Sequence, residues 1–246
     1  MVAGGLVSDQ HLFWVAVVCM YVFDNIYLLN EREVLVEETL SGSWKLRLSR
    51  VPFTLGARSL SMANPLMPWR FVMRMRWLQF EQCTPRTIRR TQRSFCIARM
   101  RLHDLRHVSS CSFLSLFALG PALTYLRGFE TALWNVLLIH AFLSAWATHS
   151  VWCQRRALHM SPYQIAWFVA EFVLFPPYLA NVSKRVSSRL RFGADAAAVC
   201  LATFEGEALR AAREVLEYRL SDMETEARDR NGYSEELRAY RDRVGL

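Results

Sequence analysis

Residues 109–126 read SSCSFLSLFALGPALTYL and residues 131–152 read TALWNVLLIHAFLSAWATHSVW, with only Arg127-Gly128-Phe129-Glu130 between them. This stretch decides the fold. An apolar run of about 20 residues crosses the hydrocarbon core of a bilayer as an α-helix, and about 17 is the lower edge. Two such runs joined by four residues predict an antiparallel helical hairpin. Gly120-Pro121 predicts a kink in its first arm, because proline cannot donate to the helical ladder and its ring crowds the preceding turn. Trp134 and Trp152 sit near ends of the second arm, where amphipathic rings favour the headgroup level.

Two further apolar segments flank the hairpin, at 12–29 and 161–182. The four segments hold 80 of the 246 residues and only two formal charges, Asp24 and Glu171. The other 166 residues carry 50 charges, about 30% of those positions. A soluble domain interleaves charge and hydrophobe along each amphipathic element. This segregation excludes an ordinary cytosolic enzyme, a secreted disulfide scaffold and a disordered tail protein. The six cysteines have no C-x-x-C and no framework spacing, so they read as reduced thiols. The N-terminus lacks a basic region followed by a small-residue cleavage site, and residues 12–29 therefore read as a retained anchor.

Segment 161–182 differs from the others. Glu171 lies at its middle and Pro176-Pro177 near its end. Basic residues gather in the 30–108 loop, the 153–160 connection and the stretch after Val182, whereas the N-terminus and the hairpin turn hold almost none. Positive charge near membrane ends favours the cytoplasmic side. That count predicts an outer N-terminus, three spans, and a fourth segment that re-enters or lies in plane, leaving the tail cytoplasmic. A complete fourth span is the alternative. The compartment expected is a bacterial inner (plasma) membrane.

The net charge of +8 is uneven: residues 30–108 carry 15 basic and 6 acidic groups, and the tail from Ser183 carries 12 of each. Within 30–108, residues 33–40 and 44–50 alternate around Ser41-Gly42-Ser43, which predicts a β-hairpin with Glu37 across from Lys45 or Arg47. Residues 51–53 and 59–62 suggest a third short strand. Residues 68–80 place Trp69, Val72, Met73, Trp77 and Phe80 on one helical face with Arg70 and Arg74 off it, predicting an interfacial helix. Residues 86–106 hold seven arginines, with Ile88, Phe95 and Leu102 seven apart, and predict a basic amphipathic helix. The expected lipid-facing cations are Arg70, Arg74, Arg89, Arg90, Arg93, Arg99 and Arg101, since arginine binds phosphate bidentately. The tail from 195 to about 231 reads as one long helix with a weak heptad of Leu209, Ala212, Leu216 and Met223, followed by a short charged helix.

Candidate chemistry is sparse. His140, Ser144 and Thr148, four apart, form one polar stripe on an apolar helix, and such a stripe turns inward because lipid offers no hydrogen-bond partner. An intramembrane carboxylate seeks a partner, so His140 and Glu171 are the expected pair. A Ser144–His140 dyad lacks a nucleophile turn or oxyanion-hole motif. His103 and His107 have helical metal-site spacing but no third ligand, and no metal or cofactor is implied. Phosphate-cradling glycine motifs are absent, and nucleic acid is not an expected partner because aromatic residues barely interleave with the arginines.

These readings give a mainly α integral membrane protein. It comprises an anchor (1–29), a cytoplasmic β module with basic helices (30–108), a transmembrane hairpin (109–152), a re-entrant or fourth segment (153–182) and a charged helical tail (183–246). The function expected is a non-enzymatic membrane-anchored scaffold or accessory subunit, binding a protein partner through loop and tail and resting on anionic headgroups. The alternatives are a transporter or channel component using Glu171 and His140, and an intramembrane enzyme.

Overall fold

A computed structural model describes residues 9–30, 32–39, 42–47, 54–55, 58–79, 84–156, 158, 160–190, 192–229 and 234–246. Among the described residues the chain is mainly helical with two small three-stranded sheets. It divides into two compact units: residues 1–26, 62–70 and 101–186 form the first, and residues 27–61, 71–100 and 187–246 the second.

The first unit holds helices α1 (Asp9–Phe23), α3 (His103–Leu114), α4 (Gly120–Arg127), α5 (Phe129–Gln154), α6 (Pro162–Leu174), α7 (Pro176–Ala180) and α8 (Val182–Ser187). α3 runs into α4 through a π-helical stretch, Ser115–Leu119, giving one apolar rod over His103–Arg127. The kink expected at Gly120-Pro121 takes this form. Pro121 cannot bond to Phe117, and the Gly120 N–H instead reaches back five residues to the Ser115 carbonyl. Glycine is required at 120 because a Cβ there would lie 2.3 Å from the Trp14 ring. Gly128, with φ +88°, turns the chain into α5, and the two arms pack as a hairpin. At 25 and 26 residues the rods are about 38 Å long, enough for a core of about 30 Å. Only about a third of each apolar window is buried. Leu114, Tyr125, Leu126, Trp134, Leu138 and Phe142 face outward.

The first apolar segment differs from its expected form. α1 stops at Phe23, Asp24 and Asn25 turn the chain, and residues 26–30 form a strand. Asn25 Nδ2 caps the helix by donating to the Tyr21 carbonyl at 2.8 Å. A helix of 15 residues covers about 22 Å. Segment 161–182 is broken at its prolines. Ser161 and Gln164 form a reciprocal capping box that starts α6, Phe175 is extended before Pro176, and α7 follows. α6 buries Ile165, Phe168 and Phe172 and packs on α5.

The second unit has strands β1 (Ile26–Asn30), β2 (Glu33–Glu38), β3 (Trp44–Arg47), β4 (Thr54–Leu55), β5 (Arg58–Met62) and β6 (Val72–Arg76), with helices α2 (Pro85–Arg101), α9 (Ala196–Thr203), α10 (Gly206–Asp229) and α11 (Ser234–Val244). The expected hairpin is β2–β3, with Glu37 opposite Lys45 and ion-paired to Arg47 at 2.5 Å. Gly42, at φ +78°, takes the left-handed position of its turn. Residues 40–41, 48–50 and 51–53 of the expected strands lie outside the described residues, while 59–62 fall in β5.

The helix expected at 68–80 is instead strand β6, paired antiparallel with β2. Phe71, Met73, Met75 and Trp77 recur at a period of two and are buried, whereas Arg74 and Arg76 between them are not. The expected tail helix is two helices. Phe204 is extended, Gly206 has φ +55°, and α10 starts afresh. α9 is capped by Asp195, which accepts from the Ala198 N–H at 3.0 Å, the Tyr240 hydroxyl at 2.7 Å and the Gln79 N–H at 2.9 Å. Burial, only partly offset by these donors, raises the Asp195 carboxyl above its ordinary value. The buried Cys200 thiol is likewise pushed well up by burial and then by Asp195.

One core joins loop and tail. Val34, Val36, Met73, Met75 and Trp77 of the sheet meet Ala197 and Val199 of α9, Leu216 and Leu220 of α10, Leu237 and Tyr240 of α11, and Phe95 of α2. The heptad-like face of α10 is therefore covered within the chain, with Leu209 and Met223 at its margin.

Candidate functional site: a charge cluster beside the apolar helices

The most polar part of the first unit forms where the proline break turns the chain back. Glu171 sits in the last turn of α6, and fourteen residues later α8 brings Arg185 onto it. Arg185 Nη1 also lies 3.5 Å from Asp24 Oδ1, just past the end of α1. The guanidinium rests 4.4 Å from the centroid of the Tyr178 ring and 5.8 Å from that of Phe168, a geometry in which the ring quadrupole favours the cation. The three charged side chains are 10–24% exposed.

Lys184, next in the chain, is fully buried. Its Nζ donates to Asn25 Oδ1 and to the Asn64 carbonyl, each at 2.6 Å. The same turn is tied further by the Ala63 N–H to the Asn25 carbonyl at 2.9 Å and by the Tyr21 hydroxyl to the Pro65 carbonyl. Asn181, also fully buried, donates to the Tyr21 carbonyl at 3.4 Å. Asp24 and Glu171 against Lys184 and Arg185 sum to zero formal charge. In a low-dielectric surrounding this pairing is required, because an isolated buried charge costs several kcal/mol.

The expected His140–Glu171 pair is replaced by two separate arrangements. Glu171 pairs with Arg185, while His140 bonds to the backbone of Phe172 and Val173 in α6 and lies 3.4 Å from Ser144 Oγ. Glu171 flanks the buried Phe168–Phe172 face of α6, and the turn at Pro176-Pro177 puts a guanidinium within its reach. Thr148 bonds back to the Ser144 carbonyl at 2.7 Å. The stripe of His140, Ser144 and Thr148 does turn inward. His140 also shares a shallow cleft with Ser112 and Ser115 of the other hairpin arm, where Ser115 Oγ is buried without a hydrogen-bond partner.

Of the expected lipid-facing arginines, Arg70 is 6% exposed. Arg74 pairs with Glu33 and donates to the Leu28 carbonyl at 3.2 Å, and Arg99 pairs with Glu38 at 3.3 Å. These three are engaged within the chain. Burial would raise Glu33, but the Arg74 bond, the Asn30 N–H and the neighbouring arginine charges hold it below its ordinary value. His103 and His107 stack edge to face at 4.7 Å. Among the described residues no three His, Cys, Asp or Glu side chains gather as metal ligands.

Sequence reasoning missed Arg185, Lys184, Asn25 and Asn181. The available signal was the proline pair: a break that reverses the chain brings the cations after Val182 back towards Glu171. Through Arg185, Asp24 and Glu171 the cluster ties the end of α1 to α6 and α8. Compared with family models, curated proteins and solved structures, the chain matches none.

Proposed function

We propose that the chain is a helical membrane protein acting as a non-enzymatic membrane-anchored scaffold or accessory subunit. The hairpin fixes it in the bilayer, and the second unit engages a protein partner on the cytoplasmic face. The supporting observation is the composition of the second unit's core. β2 and β6 precede the hairpin and α9–α11 follow it, yet both contribute to one core. Two flanks that fold together share one side of the membrane. That argues for an even number of crossings between Arg101 and Val186, and the hairpin supplies two.

The break at the prolines then favours a re-entrant or in-plane course for α6, which at 13 residues reaches about 20 Å. The outward apolar residues of both rods support insertion, since the core helix of a soluble protein buries most of its length. Placement of the N-terminus outside requires α1 to cross the bilayer. An inner-membrane setting accords with the basic loop. Glu171 and His140, the residues of the transporter alternative, have separate partners.

The test is purification of the full-length protein from carbonate-washed membranes in mild detergent. The proposal expects the protein to resist the wash and to elute with a stoichiometric protein partner. Release by carbonate overturns the membrane reading, and a lone monodisperse monomer overturns the scaffold reading.

A further inference from the structure

α2 presents two opposed faces. Thr91 and Phe95 are buried and Ile88 packs against the same core, with Phe95 stacked on Phe192 at 4.6 Å and Trp44 at 5.3 Å. Gln92 donates to Thr203 Oγ1 at 2.9 Å. These contacts fix the rotation of the helix about its axis. The outward face carries Arg86, Arg89, Arg90 and Arg93, all exposed. At 3.6 residues per turn these four fall within an arc of about 100°. No ion pair among the described residues involves them, and α2 contains no acidic residue.

The same face also carries apolar side chains and ends on the exposed Arg101. Cys96 and Met100 follow the arginines, Met100 is 70% exposed, and only Leu102 separates Arg101 from the apolar rod that starts at His103. An exposed helical face that mixes arginines with Cys96 and Met100, and that ends one residue before a membrane-length helix in the chain, suits a headgroup layer.

We infer that this face of α2 docks on the phosphate groups of anionic phospholipids beside the hairpin, an inference that rests on the membrane reading above. The rigid array suits phosphate oxygens, which a guanidinium engages bidentately. A single-stranded nucleic acid would require exposed aromatic rings for stacking, and Phe95, the aromatic residue of α2, is buried on the opposite side. The inference revises the sequence expectation: Arg70, Arg74 and Arg99 leave the lipid-binding set, and Arg86 joins it.

Cys96 supplies the probe. The full-length protein with Cys19, Cys83, Cys111 and Cys153 changed to serine and buried Cys200 retained is labelled at Cys96 with an environment-sensitive fluorophore and reconstituted into vesicles. In phosphatidylcholine containing about 30% phosphatidylglycerol, the emission shifts to the blue and is quenched by spin-labelled lipid. In phosphatidylcholine alone, or at about 0.5 M salt, it does neither. Each arginine near an anionic surface strengthens attraction about fivefold, so R86Q/R89Q/R90Q/R93Q weakens engagement by roughly 10²–10³ and abolishes the phosphatidylglycerol response.

These side chains are exposed and unpaired, so the quadruple variant keeps the wild-type circular dichroism spectrum and melting point. Equal emission in both lipids overturns the inference. So does a shift produced by an added oligonucleotide or polyglutamate in neutral vesicles without a response to phosphatidylglycerol. Protein that washes off the vesicles refutes the membrane reading itself, whereas protein that stays embedded but ignores phosphatidylglycerol refutes this docking alone.

Discussion

Replacing Arg185 with methionine removes the guanidinium that bridges Asp24 and Glu171. The aliphatic stem and its packing on Tyr178 are largely kept, but two carboxylates are left 10% and 24% exposed with no guanidinium between them. At an effective dielectric constant of about 20, a pair of unit charges 3.5 Å apart is worth about 5 kcal/mol before desolvation. Breaking a buried pair from one side costs about 3–5 kcal/mol in practice. R185M is therefore expected to lower stability by about 3–5 kcal/mol. The loss should depend on the carboxylates, so D24N/E171Q/R185M recovers at least about half of it, because no charge is then stranded. The assay is SDS titration of the detergent-solubilised protein followed by far-UV circular dichroism, with the coupling taken from the mutant cycle. A coupling under about 0.5 kcal/mol would refute the view that these groups act as one latch.

Three other consequences can be measured. Gly120→Ala places a Cβ 2.3 Å from the rigid Trp14 ring, so it should cost about 1–3 kcal/mol in the same titration, and Trp14→Leu in that background should restore most of it. Asp195 has a raised folded pKa, so its contribution to stability is greatest below the unfolded carboxylate range and declines as pH rises through the folded value. Thermal melts of wild type and D195N should diverge in favour of wild type as pH falls from 7 towards 4, and a constant or narrowing gap would contradict the sign. Green fluorescent protein fused after Leu246 should fluoresce, and alkaline phosphatase inserted at Gly128 should be active, since fluorescence marks the cytoplasm and phosphatase activity the opposite side. The reverse pattern would refute the cytoplasmic placement, and Leu246 on the same side as Gly128 would invalidate the shared side of loop and tail.

The hairpin was legible because two long apolar runs around Arg127-Gly128 mark two long helices from local sequence, with no help from distant residues. The β2–β3 turn was legible from local alternation around Gly42. β6 was misread because Trp69, Val72, Met73 and Trp77 satisfy a helical face as well as a strand. The period-two run of Phe71, Met73, Met75 and Trp77 was equally present, and pairing with β2 decides between the two. The end of α1 was obscured because Ile26–Leu29 is as apolar as the helix before it, and only Asp24-Asn25 marks the turn. The Asp24–Arg185 contact spans about 160 residues of chain and emerges only when α7 folds back. The tail's apolar face was visible, but a periodicity cannot say whether a partner or the chain's own sheet covers it.

The two-part origin of the second unit's core also sets a timetable for biogenesis. Trp77 leaves the ribosome long before Tyr240, and both belong to the same core. At about 5–20 residues per second the roughly 160 residues between them take about 8–30 s to synthesise. During that interval Val34, Val36, Met73 and Met75 lack the helices that will cover them. The nascent sheet thus exposes apolar surface until the tail arrives, and a stall within residues 187–246 would leave that sheet uncovered and aggregation-prone.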